Sequence, residues 1–167
     1  MKYFTLEELC HSDEAVKLGI DNTPTEEQKQ NITDFVETLL DDLREDWSKY
    51  CRDNVIKGKH SIIITSGIRT KKLNDAVGGS KTSAHNYGYA VDMVPTNKKL
   101  KDFQEFCIKW LKFKEFDQFI SEEENHLDIP KWIHLGWKRG NGEQRRQFLY
   151  SRGGKYYAIP KRRLQMP

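Results

Sequence analysis

Between Ile32 and Leu43 apolar residues recur at helical spacing, at Ile32, Phe35, Val36, Leu39, Leu40 and Leu43, and no other stretch of the chain holds one period so long. The spacing predicts a helix that starts at Thr23-Pro24-Thr25-Glu26-Glu27, with a capping threonine and two acids in its first turn, and runs through about Trp47. Such a helix must bury its apolar stripe against another layer, and the rest of the chain supplies β material for that layer. Ser61-Ile62-Ile63-Ile64-Thr65 is a β-branched run ended by Ser66-Gly67 and reads as a buried strand. Tyr89 to Val94 alternates and stops at Pro95, Phe116 to Ser121 and Trp132 to Trp137 are two more strand-sized runs, and Phe148-Leu149-Tyr150 with Tyr156-Tyr157-Ala158 form a hairpin around Gly153-Gly154. Short helices are expected after Thr5, whose Glu7 and Glu8 favour a helix start, and from Lys71 to Val77; a longer one is expected from Lys98 to Lys112. Helices first and strands afterwards, with one helix between strands, argue for an α+β fold: N-terminal helices packed on a small, mainly antiparallel sheet.

The length of 167 residues fits one domain, 1–167, in which 1–50 is helical and 138–167 is a basic extension. No apolar run approaches the roughly 18 residues that span a bilayer, so membrane insertion is excluded. No signal peptide precedes the first helix, so synthesis is expected to leave the protein in the cytoplasm. Cys10, Cys51 and Cys107 are odd in number, far apart and without CxxC spacing, and are expected to be reduced thiols. A net charge of +3 implies no particular polyanion. Arg145-Arg146, Arg152 and Lys161-Arg162-Arg163 lack the aromatic or helix-turn-helix context of nucleic-acid binding and read as a solvated tail, so no nucleic-acid partner is expected.

Chemistry concentrates between Ser83 and Asp92, where His85 in a loop precedes Asp92 on a strand. Fully extended, that separation spans roughly 23 Å. Ligands of one metal lie a few Å apart, so the chain must reverse between them, and Gly88 permits it. Strand alternation groups Ala90, Asp92 and Val94 on one face, and Trp132, His134 and Gly136 on one face of the later strand, so each potential ligand has a small residue beside it. Two imidazoles and a carboxylate match a catalytic zinc site with a fourth position for water.

Taken together, Ser66-Gly67-Ile68-Arg69, Asn74 with Val77-Gly78-Gly79-Ser80, Ser83-Ala84-His85 through Asp92, and Trp132-Ile133-His134 resemble the zinc D-alanyl-D-alanine carboxypeptidases and L-alanyl-D-glutamate endopeptidases. VanY-type enzymes and many phage endolysins belong to that group, and its fold is shared with Hedgehog domains. The opening from Tyr3 to Leu9, with Ser12, Ala15 and Gly19 to Asn22, resembles the branch with a helical N-terminus, so the similarity runs from about residue 3 to 137. The resemblance implies that His85, Asp92 and His134 bind zinc and that Arg69 grips a carboxylate or carbonyl of the substrate. Ser83 is a weaker candidate for a supporting hydrogen bond near the metal and the substrate.

One departure stands out. Many relatives carry an acid three positions before the last histidine, where this chain has Lys131, and a lysine with an ordinary pKa of about 10.4 cannot act as a base toward water near neutrality. Glu122 is the preferred replacement, because it ends the strand expected to pair with Trp132 to Trp137 and because the resembling branch places an acid at the end of the same stretch. Asp128, on a loop, is the alternative. The expected function is a zinc metallopeptidase acting on the stem peptides of peptidoglycan, in wall lysis or remodelling, delivered by a phage or reaching the wall after release. The competing expectation is a catalytically weak, zinc-stabilised peptidoglycan-binding module. Neither the bond cleaved nor the oligomeric state follows from the sequence.

Overall fold

The computed structural model describes residues 1–165. Its helices are α1 (Leu6–Cys10), α2 (Asp13–Leu18), α3 (Glu26–Phe35), α4 (Asp41–Asp53), α5 (Lys71–Ala76), α6 (Leu100–Leu111) and α7 (Lys161–Leu164), and its strands are β1 (Ile62–Ser66), β2 (Ala90–Pro95), β3 (Gln118–Glu122), β4 (Trp132–Gly136), β5 (Gln147–Arg152) and β6 (Lys155–Ala158). The fold is α+β, as the order of periodicities predicts.

Thr25 caps α3 through a full capping box with Gln28, and one π-helical segment, Val36–Leu40, joins α3 to α4 without a break. The long helix therefore continues to Asp53, past the expected end at Trp47. Its stripe of Ile32, Phe35, Val36, Leu39, Leu40, Leu43 and Trp47 is buried with Phe103, Cys107 and Leu111 of α6 and with Val91, Met93, Phe119, Ile133 and Leu135 of the sheet.

The strands form a single six-stranded sheet in the order β1-β2-β4-β3-β5-β6. Every pairing is antiparallel except β3 with β5, which is parallel. The inward face of the sheet carries the apolar residues named above, and the opposite face carries Asp92, His134, Ile120 and Glu122. An antiparallel sheet covered on one side only leaves the other side for chemistry. β1 corrects the expectation of a buried strand: it is an edge strand that buries Ile62 and Ile64 while Ile63 is 45% exposed, because helices cover only one side of it. The extension is also not a solvated tail. β5 and β6 belong to the sheet, Arg145 forms a two-pronged ion pair with buried Asp117 at 2.6 and 2.7 Å, and Arg163 reaches the fully buried Glu124. All three cysteines are free thiols. Among the described residues no helix is long and apolar enough to cross a membrane.

Candidate metal centre

His85 is the second residue of a 3-10 turn, Ala84–Tyr87, which Gly88 ends in the left-handed region at φ +75°. That conformation turns the chain back so that β2 carries Asp92 toward His85. The turn is held from outside itself: the side chains of Gln28 and Asn31 on α3 donate to the carbonyls of Asn86 and Tyr87 at 2.7 and 2.9 Å. His85 Nδ1 lies 2.7 Å from the carbonyl oxygen of Gly67. A carbonyl only accepts, so Nδ1 carries the proton and Nε2 offers its lone pair.

The loop that supplies this carbonyl is braced by the N-terminal segment. Ile68 N–H donates to the Leu9 carbonyl at 2.9 Å, while Asn22 donates to the carbonyls of Cys10 and Ile68 and accepts from Thr70 N–H. The small helices thus set the height of the loop against which the imidazole rests. A Cβ on Gly67 would sit 2.1 Å from the Leu9 carbonyl oxygen, so only glycine allows this approach.

Asp92 and His134 face each other across the antiparallel β2–β4 pair, and His134 Nδ1 is 2.9 Å from Asp92 Oδ1. His85 Nε2 lies 3.4 Å from the same oxygen and 3.2 Å from His134 Nδ1. One ligand atom from each of the three residues falls within 4.8 Å of the others. Arg69 donates from Nη2 to Asp92 Oδ2 at 2.5 Å and from Nε to Ser66 Oγ at 2.9 Å. It therefore holds the far oxygen of Asp92 and turns Oδ1 toward the histidines.

Burial by itself would raise the Asp92 pKa, but His85 and His134 beside it hold the carboxyl well below the usual carboxylate range. Burial pushes His85 down, against the pull of Asp92, so its ring is neutral near pH 7. A carboxylate and a neutral imidazole with a free lone pair are the forms that bind a divalent metal. Two histidines and one carboxylate, with a carbonyl fixing one ring and a guanidinium fixing the acid, suit zinc.

Glu122 closes β3 opposite Trp132, two residues beyond the Ile120–His134 pair, and so lies on the same sheet face as His134. It is buried, and burial raises its pKa; Asp92 adds to the rise, while a hydrogen bond from Ser151 and the proximity of His134 oppose it. Burial raises the pKa of Tyr156 on β6, and the nearby Glu122, Glu123 and Asp92 add to the rise.

The structure therefore brings His85, Asp92, His134, Arg69 and Glu122 together. It does not bring Asp128, which sits in a loop with φ +56° and accepts from Arg152 at 2.9 Å. Ser83 precedes the 3-10 turn, and its hydroxyl makes no capping bond there and no hydrogen bond to the ligands among the described residues. Sequence reasoning missed Gln28 and Asn31 and gave Asn22 no role beyond the resemblance, although all three act on loops far along the chain, and it missed Ser151, which reaches Glu122 through the parallel β3–β5 pairing.

No curated protein matches the chain. The model of the peptidase M15 family matches residues 2–134, a segment that begins before α1 and ends on the last of the three converging ligands. Because that match covers most of the sequence, the chain belongs to the peptidase M15 family, the zinc metallopeptidases that act on peptidoglycan.

Proposed function

We propose that this chain hydrolyses a peptide bond in the stem peptides of peptidoglycan, with zinc held by His85 Nε2, Asp92 Oδ1 and His134 Nδ1 and with Glu122 as the acid–base residue. The convergence of those three ligand atoms within 4.8 Å is the observation that carries the reading. Zinc in such a site acts as a Lewis acid that polarises a carbonyl and lowers the pKa of water to about 7.

The chain's own residues supply the rest. Glu122 takes a proton from the attacking water and passes it to the departing amine, so the C–N bond breaks without expelling an amide anion. A carboxyl whose burial lifts its pKa toward the working pH suits both steps. Arg69 keeps Asp92 in its ligating pose, and its guanidinium grips a carbonyl or carboxylate of the substrate. Gly67 keeps His85 in the tautomer that binds metal. The candidate bonds are a terminal D-Ala-D-Ala linkage, the L-Ala-D-Glu linkage within the stem, and a cross-bridge linkage.

Lys131 in place of the usual acid favours a second reading, a zinc-stabilised module that binds stem peptides without turnover. One experiment separates them. Zinc-loaded wild type and Glu122→Gln are incubated with purified sacculi, and released fragments are identified by mass spectrometry. The peptidase reading expects defined stem-peptide products from wild type and a loss of roughly 10²–10⁴ in rate in the variant at unchanged zinc content. Zinc-replete wild type that binds muropeptides and releases nothing establishes the module instead.

A further inference from the structure

The family match ends at residue 134, yet the hairpin β5–β6 that follows it reaches the catalytic face. In the parallel β3–β5 ladder Ile120 pairs with Leu149 and Ser121 with Tyr150, so the next step along places Ser151 beside Glu122. Ser151 is fully buried, and its Oγ donates to Glu122 Oε2 at 2.5 Å. Ser151 Oγ in turn accepts from the backbone N–H of Glu123 at 2.7 Å, and the Ser151 carbonyl accepts from Glu124 N–H at 2.8 Å.

These contacts leave the hydroxyl little choice. Its single proton points either to Glu122 or to Glu123 Oε1, and the latter is 3.4 Å away. The Glu123 carboxylate is meanwhile taken by the backbone N–H groups of Gly153 and Gly154 at the hairpin tip. Glu122 Oε2 is thus held by a donor from which water is excluded, while Oε1 has no protein hydrogen-bond partner among the described residues and is left to handle a proton.

We infer that Ser151 is a positioning residue for Glu122, so that the C-terminal hairpin, outside the matched family segment, is part of the catalytic apparatus. A glutamate with several rotatable bonds shuttles protons well only when its carboxyl is held at one place, and deletion of such a supporting hydrogen bond costs about 10–100-fold in activity. The inference rests on the peptidase reading given above.

The test uses the full chain, zinc-loaded, with soluble muropeptides as substrate. For Ser151→Ala the expected result is a kcat lower by about 10–100-fold, with KM and zinc content close to wild type. Ser151→Thr and Ser151→Val guard against a folding defect, since they add the same bulk and differ in the hydroxyl. Thr is expected to exceed Val in kcat by at least about 10-fold. Equal activity of Thr and Val, or a Ser151→Ala enzyme with wild-type kcat, overturns the role of Ser151 and leaves the peptidase reading standing. A wild type that cleaves nothing removes the peptidase reading and the role of Ser151 with it.

Discussion

Replacing Gly88 by alanine should damage the metal loop far more than the loss of one flexible residue would explain. Gly88 lies at φ +75°, and a Cβ there would stand 2.5 Å from the carbonyl oxygen of Gln28 and 3.3 Å from Ile32 N. Both are backbone atoms of α3, whose Ile32 and Phe35 are fully buried, so the helix cannot back away cheaply. The left-handed backbone costs an L-residue about 1–2 kcal/mol, and forcing a methyl into packed structure adds about 1–3 kcal/mol. The sum, about 2–5 kcal/mol, corresponds to a drop of roughly 4–20 °C in melting temperature for a chain of this size. Gly19 provides the control: its φ is +60°, but a Cβ there meets nothing within 4 Å. Gly19→Ala should therefore cost only the backbone share, about 1–2 kcal/mol. Thermal denaturation of both variants, with and without zinc, measures the difference, and a zinc titration should show weaker binding for Gly88→Ala alone, because His85 rides on the displaced turn. If Gly88→Ala melts no lower than Gly19→Ala, the close approach of the loop to α3 is not what holds His85 in place.

Three further outcomes concern charged side chains. Arg163→Met keeps the apolar stem but strips Glu124, whose side chain is fully buried, of its main partner, and should cost about 3–5 kcal/mol in urea denaturation. Removing the exposed Arg146 opposite Glu115 should change stability by less than about 1 kcal/mol. For Glu122 the sign runs the other way from most carboxylates. Its folded pKa lies above the ordinary value of 4.5, so over that window the folded state keeps a proton that the unfolded state releases. Its contribution is present in full below 4.5 and is lost as pH rises through the folded value. In zinc-free protein Glu122→Gln should gain stability relative to wild type as pH climbs from 4.5, and a difference that stays flat with pH contradicts the raised pKa.

Most secondary elements were legible because their signals are local. Thr25 with its following acids starts α3, the β-branched run marks β1, and Gly153-Gly154 turns the β5–β6 hairpin. The π-helical segment from Val36 to Leu40 was not legible, since its residues keep the apolar spacing of an ordinary helix. Nor did periodicity show α2, although Ser12 followed by Asp13 and Glu14 has the form of a helix start; six residues are too few to display a repeat.

At the centre, residue type, strand parity and a resemblance were enough to name His85, Asp92 and His134 as candidate ligands, Arg69 as a candidate grip on the substrate and Glu122, at the end of its strand, as a candidate base. Those judgements need only the few residues on either side, where alternation decides which way a side chain points. Arg69 was expected to meet substrate alone; in the structure it first holds Asp92. What tertiary structure decided was everything that depends on partners distant along the chain. The β2–β4 register sets Asp92 opposite His134, the helices before residue 25 carry the Gly67 loop, and the parallel β3–β5 pairing delivers Ser151 to Glu122. Parallel neighbours have no connecting turn to announce their register, and a loop's height depends on the whole core beneath it, so neither is written in any short window of sequence.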